Sequence, residues 1–257
     1  MSVQPNLTPK MRSILVDWLI ELSEHFSFES STLHLAVTMV DRVLASGRSL
    51  HDRFQLLGAT CVWLACKVKE ISPPKAKEIA YVSDHIYTVE QIKTMERRVC
   101  NALNFTFFEA PTPHHFLFEF MRASFAQESA APIDSVFRDM AHYLLELGRL
   151  PYGPTGRKPS LLAAAVVYLT RVTLGIPRRA VARLPSSSSD RDAYWTPTLE
   201  YYTGYAKSDL FDTVLELHAY HMAAETSNLK AVFSKYKTKR FHRVALKTVV
   251  LREDLGF

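Results

Sequence analysis

Two stretches of this chain carry almost no polar side chain over the length of a helix. They are Leu56-Leu57-Gly58-Ala59-Thr60-Cys61-Val62-Trp63-Leu64-Ala65 and Leu161-Leu162-Ala163-Ala164-Ala165-Val166-Val167-Tyr168-Leu169. The two align position by position on the pattern Leu-Leu-small-Ala-x-x-Val-aromatic-Leu. A helix that is apolar all round is enclosed by other helices. Neither run reaches the ~18 residues of a membrane span. Amphipathic helices flank each copy, so the repeat predicts an all-α fold built as two tandem units of about a hundred residues. Gly is scarce, 8 in 257 residues, and 47% of the chain is hydrophobic, which favours helix over sheet and supplies a real core.

The stretch Met11–Leu22, MRSILVDWLIEL, is the second constraint. At helical spacing Met11, Ile14, Leu15, Trp18 and Leu22 share one apolar stripe, while Arg12, Val16, Leu19 and Ile20 spread over the opposite half. Such a helix is either a central core helix, or core on one side and a partner groove on the other. Arg12 lies among apolar residues, where a buried guanidinium needs an anion or carbonyl. Asp41 sits inside the apolar set of the next helix and suggests an Arg12–Asp41 pair.

Stop and start signals place helices from Thr8-Pro9 to about His25 and from Ser30 or Ser31 through Leu44, ended by Gly47. Others are expected at Asp52–Glu70, Ala76–Val82 and Val89–Leu103, the last capped by Thr88. The plan restarts after Pro111 and Pro113, with helices at His114–Ala126, Ile133–Leu147, Ser160–Leu174 and Ala206–Ala223. The segment from Ile176 to Thr196, with Arg178, Arg179, Arg183, Pro185 and the Ser186–Ser189 run, reads as an exposed loop. The expected domains are residues 10–108, 109–225 and a basic tail, 226–257.

Catalytic constellations are missing from the sequence: it has no glycine-rich phosphate loop and no nucleophile elbow. Cys61, Cys66 and Cys100 have no metal-ligand spacing and read as buried or free thiols in a reducing compartment. His218 and His221 share a helix face, but with no third ligand nearby they read as solvated rather than metal-binding. No metal or cofactor is expected. The net charge of +5 and pI near 9.0 permit an acidic partner without demanding one. Lys230, Lys235, Lys237, Lys239, Arg240 and Arg243, interleaved with Phe233, Tyr236 and Phe241, suit nucleic acid or, more commonly, a solvated terminal segment. No signal peptide or membrane span is visible, so the protein is expected inside the cell, in nucleus or cytoplasm.

Met11-Arg12-Ser13-Ile14-Leu15-Val16-Asp17-Trp18-Leu19 resembles the opening motif of the mitotic, A- and B-type cyclins, with Ser13 where Ala is usual. The resemblance continues through Leu35-Ala36-Val37, Asp41-Arg42, Phe54-Gln55-Leu56-Leu57-Gly58, Ala65-Cys66-Lys67, Glu70-Ile71, Pro73-Pro74, Tyr87-Thr88, Met95-Glu96, Leu103-Asn104-Phe105 and Pro111-Thr112. It is weaker in the second unit, at Tyr143-Leu144-Leu145-Glu146-Leu147, Pro159-Ser160 and Lys235-Tyr236-Lys237.

The resemblance implies two five-helix cyclin boxes and a regulatory, non-enzymatic role. Its partner would be a cyclin-dependent kinase catalytic subunit, shifted by differential contact into its active arrangement. By match, Lys67 and Glu96 would bond the kinase backbone, with Leu64, Ile71, Phe105 and Phe107 as apolar anchors. The alternative is that Lys67 and Glu96 only pair with each other. A groove for Arg-x-Leu substrates or inhibitors would be floored by Met11, Ile14, Leu15 and Trp18, with Glu21, Phe54 and Gln55 at its rim. Arg12 and Asp41 match the family's internal ion pair. Departures are Val68 and Lys69 where an aromatic and an acid are usual, His51 in place of a basic rim residue, and a long Arg178–Tyr194 segment. A chain beginning so near the first box also lacks the family's N-terminal helix and destruction segment, which points to trimming or to different regulation. The competing expectation is a cyclin-fold transcription factor that binds nucleic acid.

Overall fold

Eleven α-helices and no strand occur among the residues that the computed structural model describes, 7–46, 53–125, 133–151, 157–176 and 194–257. They divide into two compact units, Met1–His114 with Arg149–Thr155, and His115–Gly148 with Gly156–Phe257.

The first unit holds α1 (Pro9–Phe26), α2 (Ser30–Ala45), α3 (Phe54–Lys69), α4 (Ala76–Val82) and α5 (Val89–Ala102). Helix α3 is the axle, packed against each of the other four. Every residue from Leu56 to Cys66 is buried, which is what its lack of polar atoms requires. Gly58 admits α1: a Cβ there would stand 2.7 Å from Leu15 Cδ1. Thr8 caps α1 by accepting from the Met11 amide (3.2 Å), with Pro9 in the first turn. Thr88 and Gln91 form a reciprocal capping box on α5. Helix α2 is not capped by Ser30 or Ser31. Its N-cap is Glu29, whose amide donates to the Glu70 carboxylate (2.9 Å), and Thr32 Oγ1 donates to the same oxygen (2.5 Å). Gly47, Asp52 and His51 lie outside the described residues.

Arg12 is fully buried and unites three segments. Its Nε and Nη2 donate to the two oxygens of Asp41, at 2.6 and 2.9 Å. Its Nη1 donates to the carbonyls of Arg149 (3.1 Å), Leu150 (3.1 Å) and Pro151 (3.3 Å). Arg149 adds a second cation on Asp41 (3.3 Å) and bonds Thr38 Oγ1 (3.4 Å). Burial lowers its guanidinium to about 10, still charged at neutral pH.

The second unit holds α6 (Pro113–Phe125), α7 (Ser135–Arg149), α8 (Pro159–Thr173), α9 (Pro197–Thr203), α10 (Lys207–Ala223) and α11 (Ala231–Tyr236). Helix α8, the second copy of the apolar repeat, is buried from Leu162 to Val172 and packs on α10. Gly148 gives the close approach here, with Leu162 Cδ1 3.0 Å from where its Cβ would be. The sequence reading had no helix at α9. It starts on Thr196, whose side chain accepts from the Leu199 amide, and stops at Gly204 with φ +71°.

Residues 226–257 were expected as a solvated tail; Lys230, Lys237, Lys239, Arg240 and Arg243 are exposed, but the segment is tied to the second unit at several points. Glu146 on α7 is fully buried and its Oε1 accepts from Lys235 Nζ and Tyr236 Oη, both 2.8 Å. Further on, the Val250, Leu255 and Gly256 carbonyls accept from His218 (2.8 Å), Tyr168 (2.6 Å) and Lys207 (2.6 Å). His218 and His221 are therefore buried, not solvated. Burial lowers the His221 imidazole to about 4, and neither ring nitrogen has a hydrogen-bond partner.

Two outcomes follow from these cores. Asp41→Ala leaves two buried guanidinium groups without their carboxylate and should cost about 3 kcal/mol in urea unfolding; a loss under about 0.5 kcal/mol would contradict the hub. His221 takes up its proton near pH 6.5 when unfolded but only near 4 when folded, so its stabilisation is complete above 6.5 and declines as pH falls toward 4. His221→Leu should flatten the fall in stability between pH 7 and 4 relative to the parent chain, read by thermal unfolding across that range.

Candidate functional site

At the C-terminal end of α3 the buried helix surfaces, and with it a mixed face. Lys67 Nζ lies 2.5 Å from Glu96 Oε1 on α5 and 3.4 Å from the centre of the Trp63 ring. Trp63 Nε1 donates to the Pro74 carbonyl (2.9 Å), which fixes the chain leaving α3. Glu70 fixes the other end of that loop through its bonds to Glu29 and Thr32. Between these two anchors Ile71 is fully exposed. An isoleucine held in water on a tethered loop is costly for a monomer and useful for a partner.

Beyond α5, Asn104 and Phe105 both take left-handed backbone angles, φ +49° and +57°. For a phenylalanine this costs on the order of 1–2 kcal/mol. The Phe105 amide donates to the Cys100 carbonyl (3.0 Å), closing the helix end. Arg42 on α2 holds the next residue, with Nη1 on the Thr106 carbonyl (2.5 Å) and Nη2 on its hydroxyl (3.0 Å). The result is a fixed turn with Phe105 and Phe108 exposed and Phe107 half-buried beside Phe105. Lys69 Nζ stands 5.2 Å above the Phe108 ring.

A second face lies on α1. Its buried residues are Arg12, Leu15, Val16, Leu19, Ile20, Leu22 and Ser23, an arc of roughly 160° at 100° per residue. Met11 and Trp18 sit half-buried at one edge, and Ile14 and Glu21 are exposed beyond it.

Family models match along nearly the whole chain: the cyclin N-terminal domain over residues 1–107 and the cyclin C-terminal domain over 111–249. The chain belongs to the cyclin family. This cyclin is 35% identical to Cyclin-A2-1 of Arabidopsis thaliana over 246 residues, which is 96% of this chain and 52% of that one. It is 35% identical to Cyclin-A3-1 of Oryza sativa subsp. japonica (95% and 61%) and 33% identical to G2/mitotic-specific cyclin-1 of Antirrhinum majus (96% and 47%). The chain thus spans about half the length of such relatives. The crystal structure of a viral cyclin from herpesvirus saimiri shares the fold, with a TM-score of 0.71 at 21% identity, covering 90% of this chain and 91% of that one.

Against the cyclin resemblance, the structure brings Lys67, Glu96, Ile71, Phe105 and Phe107 into one unit and joins Lys67 directly to Glu96. Leu64, expected as an apolar anchor, is 5% exposed and packs in the α3 core. Leu15, expected in the groove floor, is 5% exposed against Gly58, while Ile14 is 52% exposed. Phe54 is likewise buried, leaving Gln55 half-buried at that rim. Trp63, Glu70, Arg42, Phe108 and Arg149 had no assigned role in the sequence reading. The partners of their side chains outside their own helix lie 11 to 111 residues away, so no local pattern revealed them. The three cysteines are free and buried. Burial pushes the Cys66 thiol up to about 12, so it is protonated and unreactive. Among the described residues there is no His, Cys, Asp and Glu cluster fit for a metal ion, and no helix is long and apolar enough to cross a membrane.

Proposed function

We propose that this cyclin is the regulatory, non-catalytic subunit of a cyclin-dependent kinase in cell-cycle control. It binds the catalytic subunit through Lys67, Glu96, Ile71, Phe105 and Phe107. The observation that carries the reading is the juxtaposition of the Lys67–Glu96 pair with the fully exposed Ile71 and the turn that displays Phe105. The pair is partly solvated and worth no more than about 1 kcal/mol to the fold. Its two charges are thus free to trade partners at an interface, where desolvated charge-assisted bonds each count for more.

The α1 face is assigned to Arg-x-Leu segments of substrates or inhibitors. Met11, Ile14 and Trp18 supply an apolar shoulder for the leucine, Glu21 a carboxylate for the arginine, and Gln55 a polar rim. A nucleic-acid role finds less support. Lys235 is drawn into Glu146 and the Tyr236 ring is buried, which removes a cation and a stacking platform from the basic run.

The double variant Lys67→Ala/Glu96→Ala tests the reading. Its unfolding free energy should stay within about 1 kcal/mol of the parent, while capture of a cyclin-dependent kinase catalytic subunit falls at least about tenfold. Unchanged capture would overturn the assignment. Trp18→Ala should leave kinase capture intact and weaken binding of an Arg-x-Leu peptide; equal peptide affinity would remove the groove from α1.

A further inference from the structure

The loop between α3 and α4 reads Glu70-Ile71-Ser72-Pro73-Pro74-Lys75. Ser72 is exposed and stands between the two anchors of the loop, the Glu70 carboxylate on one side and the Pro74 carbonyl on the other. We infer that Ser72 is a phosphorylation site for a proline-directed serine/threonine kinase, placed to turn off binding at the adjacent Lys67–Glu96 face. The effect on binding rests on the function proposed above; the modification itself does not.

The chain has four serine or threonine residues followed by proline: Thr8, Ser72, Thr112 and Thr196. Three are poorly suited as acceptors. The Thr8 and Thr196 hydroxyls cap helices by accepting from the Met11 and Leu199 amides, and Thr196 is buried. Thr112 is half-buried and has His115 three residues on. Ser72 alone is exposed with a lysine at that position, Lys75, and another three residues before it, Lys69. A proline after the acceptor cannot donate a backbone hydrogen bond and holds the preceding residue extended, which suits a kinase cleft that takes substrate as an extended strand. Pro73 and Pro74 extend this stiffness, and all of Ile71, Ser72, Pro73 and Lys75 are exposed.

In the transfer, Ser72 Oγ bonds to the γ-phosphorus of ATP. The bond from that phosphorus to the β,γ-bridging oxygen breaks, ADP leaves, and the hydroxyl proton passes to the base of the modifying kinase. Neither loop anchor uses Ser72, so the fold tolerates the ester. The surface does not stay the same: about two negative charges appear beside Ile71, in the patch a partner would have to desolvate. Such a charge opposes docking of an apolar anchor and competes for Lys67, which now pairs with Glu96.

The test uses the whole chain, ATP and a purified proline-directed kinase, with phosphosites mapped by mass spectrometry and affinity for a cyclin-dependent kinase catalytic subunit measured before and after. Phosphate should appear on Ser72, and affinity should fall about tenfold or more. Ser72→Ala, treated identically, should keep its affinity. Absence of phosphate at Ser72 while a Ser-Pro-x-Lys control peptide is modified overturns the site. Phosphate at Ser72 with affinity changed less than threefold overturns the switch and leaves the proposed function standing. An unmodified chain that binds no catalytic subunit overturns the proposed function and the switch together.

Discussion

The bidentate bond between Arg12 and Asp41 sets the orientation of α1, and the face proposed for that helix depends on it. A guanidinium has five donors in a fixed plane. Here Nε and Nη2 face one carboxylate and Nη1 faces three carbonyls in succession. Such a set admits one rotation of the helix. With that rotation fixed, Leu15 seats on Gly58 and Ile14, Trp18 and Glu21 are turned outward. Apolar residues of matching volume at both positions 12 and 41 can pack as well or better, yet would hold the rotation only through shape.

The face at the end of α3 uses the same strategy with smaller parts. Trp63, Glu70 and Arg42 each bond a backbone group of a loop, and Glu70 and Arg42 add a hydroxyl. The loops that display Ile71 and Phe105 therefore have fixed courses before any partner arrives. Ordering loops at an interface is a large part of what association costs, and here it is largely met by folding. The left-handed backbone at Phe105 fits this picture, since a strained residue persists only where its surroundings determine it.

How much of this was legible in the sequence depends on the range of the interaction. The apolar repeat, the Thr8 and Thr88 caps and the placement of Arg12 and Asp41 among apolar residues are local signals, and they located the helices of the first unit within a residue or two. Side-chain periodicity was too coarse to part Leu15 from Ile14, neighbours on a stripe whose edge falls between them. The burial of Leu64 was not legible either, because only packing tells where a buried helix surfaces. His218 looked solvated because its partner, the Val250 carbonyl, is 32 residues further on in a segment with no helical period, and His221 because it packs on Tyr143 of α7. Helices α9 and α11 are seven and six residues long, which gives periodicity little to register, although α4, also seven residues, was placed.

The central claim is that one preformed surface, the α3–α4 loop together with the turn after α5, meets a cyclin-dependent kinase. Amide hydrogen exchange of the chain with and without the catalytic subunit measures this directly. The account predicts slowed exchange at residues 67–72 and 104–108 in the complex, with little change in the exposed basic segment around Lys239. Protection confined to that basic segment, or to the exposed Tyr201 and Tyr202 of α9, would contradict it.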